Sequence, residues 1–337
     1  MGVKLKPLGE QTIVITGASS GIGRCTALMA ADRGAKVVVV ARNETALKQV
    51  VSEIAAKGGH ATYVVADVSE AGQLDHAAEQ AVAKFGGFDT WINDAGVGLY
   101  GRLDEIPLNK KRRLFDVTFW GVVNGCQSAL PQLRDRGGAI INVGSVESDV
   151  ALPLTGMYAA AKHAVKAYTD TLRMELDHDN IPISVTLIKP SGIDTPFFKH
   201  ARNHLSVEPQ AAPPVYAPEV VAKAILHCAE HPTTDVTVGG AGKMISGMRK
   251  SSLRMTDKFM EATQFKAQKT DRPADVATDS LFDAPTDPGS VHGDYQGHVM
   301  QSSAYTRAKL HPWVGTAVVA GVGLAVAAGV RRFGRGD

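Results

Sequence analysis

Three glycines occur in the stretch Thr16-Gly17-Ala18-Ser19-Ser20-Gly21-Ile22-Gly23 near the start of the chain. The β-branched run at residues 12–16 leads into it, and helix-forming residues 25–33 follow it. Glycines between a strand and a helix let the backbone approach a pyrophosphate, whose charge meets free N–H groups at the helix N-terminus. The Gly-x3-Gly-x-Gly spacing therefore predicts a dinucleotide-binding loop at the first strand-to-helix junction.

Short β-branched runs alternate with longer amphipathic stretches from residue 12 to residue 240. This alternation is typical of βαβ units around a parallel sheet. The continuous apolar run Val37-Val38-Val39-Val40 indicates a strand covered by helices on both faces. We therefore predict an α/β fold of the Rossmann type, a doubly wound parallel sheet in a three-layer α/β/α arrangement. The predicted strands are residues 12–16, 36–41, 61–66, 90–93, 139–143, 183–188 and 235–238.

The regular pattern assigns residues 1–245 to this domain and residues 246–310 to a polar extension. Within the extension, residues 265–310 are rich in Asp, Pro, Thr, Ser, Gln and Gly and poor in large apolar side chains. Such a composition is typical of a mobile linker or a surface arm.

A terminal hydrophobic helix is predicted at residues 311–333, because residues 314–330 carry no charge and arginines follow them. At about 1.5 Å per residue this uncharged run would reach roughly 25 Å, slightly less than a hydrocarbon core of about 30 Å. We predict a transmembrane helix that anchors a cytoplasmic catalytic domain to a membrane. The alternative is a buried or frayed terminal helix of a soluble domain, because Ala and Gly carry little hydrophobic driving force.

Composition excludes several classes of protein. The 337 residues are 44% hydrophobic and 21% charged, which excludes wholesale disorder and a many-span membrane protein. A net charge of +2 shows no basic excess, so nucleic acid is not a predicted partner. The three cysteines, Cys25, Cys126 and Cys228, are far apart and predict neither disulfides nor zinc. No histidine stands at a spacing that would hold a metal, so no metal is predicted.

Arg42 follows Ala41 at the end of the second predicted strand. An acidic residue at this position would hold the adenosine ribose hydroxyls and exclude a 2′-phosphate. A guanidinium instead offers fixed donors to a phosphate, so NADP(H) is favoured over NAD(H). The alternative is a solvated surface charge at a strand end.

Tyr158 and Lys162 stand four residues apart in a segment that begins a helix, so they share one helix face. A neighbouring ammonium favours the phenolate and brings a phenol toward acid–base chemistry near neutral pH. Ser145 ends the preceding strand, where its hydroxyl would hydrogen-bond a substrate carbonyl. These three residues are the predicted catalytic group, although such pairs on helices are more often packing and solvated charge.

Residues 10–240 resemble a classical short-chain dehydrogenase/reductase. The resemblance rests on six signals in the order of that family: the glycine-rich stretch at residues 16–23, Asp67-Val68, Asn93-Asp94-Ala95-Gly96, Ser145, Tyr158-x3-Lys162 and Pro190-Ser191-Gly192-Ile193-Asp194-Thr195. It implies an oxidoreductase that interconverts a carbonyl and a secondary alcohol with a nicotinamide cofactor, and Arg42 favours NADP(H) as that cofactor.

The resemblance also implies roles for individual residues. Tyr158 would donate the proton, Ser145 would orient the substrate carbonyl, and Lys162 would lower the tyrosine pKa and bind the nicotinamide ribose. Asp67 and Val68 would border the adenine. The full implied cofactor set is Gly17, Ser19, Ser20, Gly21, Ile22, Gly23, Arg42, Asp67, Val68, Asn93, Ala95, Gly96, Tyr158, Lys162, Pro190, Ile193 and Thr195.

Three positions depart from the family pattern. Asp94 and Ser191 replace an asparagine and a glycine, and both changes are compatible with the flanking residues that persist. Thr118 stands where the family has an asparagine that completes a proton relay through water to the lysine. A threonine hydroxyl cannot copy the donor–acceptor pair of an amide, so a slower relay or an altered pH dependence is expected.

Residues 196–216 would cover a small-molecule carbonyl or alcohol substrate, and Phe197 and Phe198 in this segment favour a hydrophobic one. Two alternatives remain open. One is a weakly catalytic NADP(H)-binding sensor or membrane scaffold, and the other is an isomerase or dehydratase on the same fold. The resemblance implies a homodimer or homotetramer formed through residues 112–130 and 157–177.

Overall fold

A seven-stranded parallel sheet forms the centre of the computed structural model, which describes residues 3–274 and 279–311. The strands are β1 Thr12–Thr16, β2 Lys36–Ala41, β3 Ala61–Val65, β4 Thr90–Asn93, β5 Gly138–Val143, β6 Ile183–Pro190 and β7 Asp235–Val238. Their order in the sheet is β7-β6-β5-β4-β1-β2-β3. This confirms the Rossmann-type fold, with β3, β5 and β6 differing from the predicted bounds by one or two residues.

Helices cover both faces of the sheet. The α-helices are α1 Gly21–Ala31, α2 Glu44–Ala56, α3 Ala71–Phe85, α4 Leu108–Phe115, α5 Gly121–Arg136, α6 Gly156–His178, α7 Pro218–Glu230, α8 Gly240–Ser251, α9 Leu253–Ala267 and α10 Ala304–Leu310. A π-helical turn, Asp116–Trp120, joins α4 to α5, and short 3-10 turns span Leu8–Glu10 and Val146–Ser148. Short strands outside the main sheet are Leu99–Tyr100, Gly192–Ile193, Arg202–Asn203, Val207–Pro209, Val215–Tyr216, Lys269–Pro273 and Val299–Met300.

The core forms two layers because successive strand residues point to opposite faces of the sheet. Val37 and Val39 of β2 pack in the layer that contains α1 and α7 residues. Val38 and Val40 pack in the opposite layer. All four side chains are fully buried, as the continuous apolar run predicted.

The chain leaves β1, winds outward to β3 and returns to β4 on the other side of β1. The carboxyl ends of β1 and β4 therefore flank the point where the winding direction reverses. Ligands of open α/β sheets bind in the crevice at this point.

The polar extension is folded against the domain in its described part. Helices α8 and α9 follow β7, and Lys269–Pro273 pairs with Val207–Pro209. Val299–Met300 then pairs with Val215–Tyr216, and Leu281 is fully buried in the core. These contacts hold the described part of the extension against the domain, and the division of the chain at residue 245 stays a prediction.

The predicted terminal helix at residues 311–333 lies, apart from His311, outside the described residues. Within residues 3–274 and 279–311, no helix combines the length and apolarity needed to cross a membrane. The same ranges contain no cluster of three His, Cys, Asp or Glu side chains suited to hold a metal ion.

Candidate active site

A cavity of about 290 Å³ opens at the carboxyl ends of the strands. It brings together most of the residues that the sequence predicted for the site. Those that line it are Gly17, Ser19, Ser20, Gly21, Ile22, Arg42, Asp67, Val68, Ala95, Gly96, Ser145, Tyr158, Lys162, Pro190, Ile193 and Thr195. Two predicted residues, Gly23 and Asn93, do not line it.

The glycine-rich loop between β1 and α1 requires glycine for steric reasons. Gly17 has a φ of +73°, and a Cβ there would lie 2.8 Å from the Ala95 Cα. A Cβ on Gly23 would lie 2.5 Å from the Gly17 carbonyl oxygen. Gly23 therefore allows α1 to close against the loop, which is a packing role beside the cavity.

Asn93 ends β4, and its side chain points toward Asn142 of the neighbouring strand β5. Its amide donates from Nδ2 to Asn142 Oδ1 over 2.9 Å, and its Oδ1 accepts from Trp91 Nε1 over 2.9 Å. Asn142 donates in turn to Thr169 Oγ1 of α6 over 2.9 Å. The buried chain of hydrogen bonds joins β4, β5 and α6. The side chain of Asn93 therefore stabilises the elements that carry the site and does not line the cavity.

The three predicted catalytic residues come together from two elements. Ser145 follows β5 and caps the turn Val146–Ser148, where its Oγ accepts from the Glu147 N–H over 3.1 Å. Tyr158 and Lys162 occupy one face of α6, with the ammonium 5.6 Å from the phenol ring centroid. Lys162 Nζ donates to the Val143 carbonyl over 2.7 Å, which fixes it at the end of β5.

Burial dominates the ionisation of this group. It raises the pKa of Tyr158 well above that of a free phenol, and the charge of Glu147 adds to this effect, while a hydrogen bond with Ser145 opposes it. Burial also lowers the pKa of Lys162 to about 8, against the attraction of Asp94 and Glu147. The lowered tyrosine pKa that the resemblance implied is therefore not the net direction in this structure.

Two carboxyl groups share the site, the buried Glu147 and the half-buried Asp94, and the sequence analysis assigned neither a role. Glu147 lines the cavity, and its Oε2 accepts from Thr155 Oγ1 over 2.7 Å. Burial raises the pKa of Glu147 to about 8 and that of Asp94 to about 7. The only sequence signal for Glu147 was its place two residues after Ser145, in the turn that ends at the cavity.

Arg42 is held by several acceptors at the end of β2. Its guanidinium donates to the carbonyls of Phe282 over 2.8 Å and Ser280 over 2.5 Å. Asp67 lies 3.8 Å away and also accepts from Arg113 Nη2 over 2.5 Å. Burial raises the pKa of Asp67, but the hydrogen bonds from Ser69 and Arg113 together outweigh it, so the net shift is downward. The alternative of a solvated surface charge at Arg42 does not fit these contacts.

Thr118 lies fully buried in the π-helical turn and does not line the cavity. Its Oγ1 accepts from the Val97 N–H over 3.5 Å. The hydroxyl is thus directed at the loop after β4, where Asp94 and Gly96 stand. Interrupted helical turns of this kind occur often at functional sites.

The model of the short chain dehydrogenase family matches residues 11–206 of this chain. That range covers more than half of the chain and includes the glycine-rich loop, Ser145, Tyr158 and Lys162. The chain belongs to the short-chain dehydrogenase family. It is therefore an oxidoreductase. The fold of this family binds a nicotinamide cofactor, and its members act on small carbonyl or alcohol compounds.

Relatives of this short-chain dehydrogenase support the assignment. An uncharacterized oxidoreductase of Bacillus subtilis (strain 168), YxnA, is 43% identical over 95% of this chain and 91% of its own length. That coverage reaches beyond residues 1–245 into the C-terminal extension.

Solved structures show the same fold with either form of the cofactor. A short-chain dehydrogenase/reductase from Burkholderia phymatum, in complex with NAD, is 26% identical with a TM-score of 0.67, covering 73% of this chain and 94% of its own. An alcohol dehydrogenase from Thermococcus sibiricus, complexed with 5-hydroxy-NADP, has a TM-score of 0.60 at 24% identity, covering 67% and 95% of the two chains.

Proposed function

We propose that this protein is an NADP(H)-dependent oxidoreductase that interconverts a carbonyl and a secondary alcohol. The observation that supports the proposal is the shared cavity, in which Ser145, Tyr158 and Lys162 lie beside the glycine-rich loop. A bound nicotinamide would supply or accept the hydride. The residues of the chain would hold the carbonyl and move the proton.

Tyr158 is the proposed proton donor during reduction. Tyr158 and Ser145 line the same cavity, so both hydroxyls would address one substrate oxygen, and the developing alkoxide would be stabilised as it takes the proton. Burial keeps the phenol protonated beforehand, which suits an acid. Lys162, 5.6 Å from the ring centroid, would stabilise the tyrosinate that remains.

The residues at the glycine-rich loop fit a dinucleotide. Gly17 and Gly21 have positive φ angles of +73° and +54°, so the backbone adopts a path that side chains disfavour. Helix α1 begins at Gly21 behind an extended Ser20 that makes no side-chain cap. The Gly21 N–H donates to the Ser290 carbonyl over 2.8 Å, and the partial positive charge of this helix N-terminus would favour a pyrophosphate beside it.

Arg42 supports the preference for NADP(H). It lines the cavity where an acidic residue would otherwise bind the ribose hydroxyls, and its described partners include two neutral carbonyls, of Ser280 and Phe282. These two hydrogen bonds position the guanidinium, and Asp67, 3.8 Å away, also accepts from Arg113, so its charge is shared between two cations. A 2′-phosphate would therefore find a positioned cation at the end of β2.

The substrate half of the cavity favours an apolar compound that carries a second polar group. The Phe197 ring lies 5.5 Å from the Tyr158 ring, and Leu99 and Leu152 also line this part. Glu147 lies among these side chains and is the polar group that a substrate hydroxyl or carbonyl would meet. We therefore propose a hydrophobic ketone, aldehyde or alcohol as the substrate.

Nucleotide titration tests this function. NADPH and NADH are titrated by nicotinamide fluorescence into the wild type, Arg42→Ala and the exposed control Arg33→Ala. We expect NADPH to bind more tightly, and Arg42→Ala but not Arg33→Ala to remove the preference. Turnover of a ketone and aldehyde panel follows with the tighter nucleotide. Binding without any turnover would instead support the sensor or scaffold alternative.

We also propose a homodimer or homotetramer through α6 and through α5 with the π-helical turn that precedes it. Trp120 and Met174 expose 51% and 60% of their surface in the two regions expected to form the interface. Large apolar side chains exposed on such helices favour association. Light scattering of the wild type and Trp120→Asp tests this, with a smaller particle expected for the variant.

A further inference from the structure

Residues 279–293, named here the strap, run from the substrate side of the cavity to the glycine-rich loop. The strap begins at Asp279, whose Oδ2 lies 2.7 Å from Arg202 Nη2. Ser280 N donates to the His200 carbonyl over 2.8 Å. Leu281 is fully buried in the core and anchors this end.

The other end of the strap binds the first turn of α1. The Ser290 carbonyl accepts from the Gly21 N–H over 2.8 Å, and the Gly289 carbonyl accepts from Arg24 Nη1 over 2.8 Å. Gly289 has a φ of +74°, and a Cβ there would lie 2.1 Å from the Ser19 carbonyl oxygen. The strap thus lies directly on the glycine-rich loop, with no room for a side chain.

The middle of the strap joins the two walls of the cavity. Asn43 Nδ2 donates to the carbonyls of Pro285 over 2.7 Å and Asp287 over 2.8 Å. The Asp287 carboxylate lies 2.7 Å from His200 Nε2 on the substrate side. Together with the two bonds from Arg42, these contacts connect β2 and α2 to residues 196–216, the segment predicted to cover the substrate.

The strap covers the cavity without filling it. Ser280 and Pro285 of the strap line the same cavity as Asp67 and Val68, the two residues predicted to border the adenine. The cavity therefore reaches the predicted adenine position, and the strap forms one of its walls there. Main-chain carbonyls make the bonds of the strap to Gly21, Arg24, Arg42 and Asn43.

We propose that the strap is a component of the cofactor site, which closes over the adenosine half of the nucleotide and positions Arg42 for the 2′-phosphate. This inference rests on the proposed NADP(H) function. Because the strap joins both walls, its contacts with the glycine-rich loop have to open before nucleotide can enter or leave. Nucleotide exchange is therefore limited by the strap, and the equilibrium affinity is set mainly by the loop and Arg42.

The test measures NADPH binding and release in the full chain. Dissociation of NADPH is followed by stopped-flow fluorescence after mixing with excess NADP⁺, and the equilibrium Kd is measured separately. The variant Gly289→Ala forces a Cβ against Ser19. Gly58→Ala is the matched control, because Gly58 has a similar φ of +79° but a Cβ added there would meet nothing within 4 Å.

We expect Gly289→Ala to release NADPH about tenfold faster or more, with association accelerated in parallel, and Gly58→Ala to behave as the wild type. Asp287→Asn, which weakens the contact with His200, should give a smaller acceleration and provides a second variant if Gly289→Ala folds poorly. Dissociation rates equal to wild type in both strap variants would overturn the proposal. Faster association with unchanged dissociation would also overturn it, since the strap would then compete with the nucleotide. Failure of the wild type to bind NADPH would instead overturn the proposed function.

Discussion

The Glu147 carboxyl accepts a hydrogen bond from Thr155 Oγ1 over 2.7 Å inside the cavity that Tyr158 lines. Burial raises the pKa of Glu147 to about 8, from an ordinary value of 4.5. The carboxyl is therefore neutral at pH 7 and becomes charged only in mildly alkaline solution. Its negative charge then opposes ionisation of Tyr158.

Glu147→Gln should lower the pH at which the rate of alcohol oxidation rises as Tyr158 ionises. Glutamine keeps an oxygen for Thr155 but cannot ionise, so Tyr158 loses a neighbouring anion that holds its pKa high. The measurement is kcat against pH for the wild type and Glu147→Gln, with the exposed Glu105→Gln as control. Superimposable profiles of wild type and Glu147→Gln would show that Glu147 does not influence the tyrosine.

The same substitution should change how stability depends on pH. A carboxyl whose folded pKa is raised stabilises the fold fully below pH 4.5 and loses that contribution as pH rises through about 8. Thermal unfolding at pH 5 and pH 9 should therefore show a decline in the wild type that is smaller in Glu147→Gln. An equal decline in both proteins would assign the loss to other groups.

Tyr158→Phe should abolish most turnover and leave nucleotide binding nearly intact. Loss of a positioned proton donor costs about 10²–10⁴ in rate, whereas the ring that packs on Phe197 is retained. Steady-state kcat and the NADPH Kd are measured together. Tyr63→Phe, which removes a hydroxyl bonded to Glu44 on the surface, is the control. Comparable kcat in Tyr158→Phe and the wild type would exclude Tyr158 as the donor.

The sheet and the closeness of Tyr158 to Lys162 could be predicted because local patterns determine them. The apolar run of β2 identifies a strand with two covered faces, and the spacing of Tyr158 and Lys162 places them on one helix face. Asn93 shows the limit of such patterns. Its side chain turns toward Asn142, 49 residues further along, and only the pairing of β4 with β5 brings the two amides together.

The strap could not be predicted from composition. Its contacts with Gly21, Arg24 and Arg42 are made by main-chain carbonyls, which every residue carries, so its sequence resembles that of a linker. Leu281 is its fully buried apolar anchor, and one leucine among polar residues is a weak signal. The placement of Glu147 in the cavity likewise depends on the turn after β5 and not on any periodicity.

Thr118→Asn tests whether the missing amide slows the proton relay. An asparagine supplies the donor and acceptor that the threonine hydroxyl lacks, so kcat should rise a few-fold and its solvent isotope effect should fall. Because Thr118 is fully buried, the larger side chain should also cost about 1–3 kcal/mol of stability. Thr118→Val is the control that keeps shape and removes the hydroxyl. An unchanged isotope effect in a folded Thr118→Asn protein would show that residue 118 takes no part in the relay.

Asp149 holds the turn that carries Ser145 against the sheet. Its carboxylate pairs with Lys166 of α6 and, over 2.7 Å, with Lys189 of β6, whose side chain is 6% exposed. Burial alone would raise the pKa of Asp149, but the bonds from the two lysines outweigh it and lower the pKa to about 2. The ion pairs therefore stabilise the fold above the ordinary aspartate pKa of 3.8 and lose this contribution as pH falls toward 2.

Asp149→Asn should lower the free energy of unfolding by about 2–4 kcal/mol near pH 7, because it leaves the buried Lys189 with fewer charged partners. Asp257→Asn, which breaks the more exposed pair with Arg249, should cost less than about 1 kcal/mol. Urea unfolding at pH 7 and at pH 3 measures both effects. The gap between the wild type and Asp149→Asn should narrow at pH 3, because the unfolded carboxylate, with its ordinary pKa of 3.8, then binds a proton that the folded one, with a pKa of about 2, does not. A gap that stays constant with pH would attribute the loss to packing and not to charge.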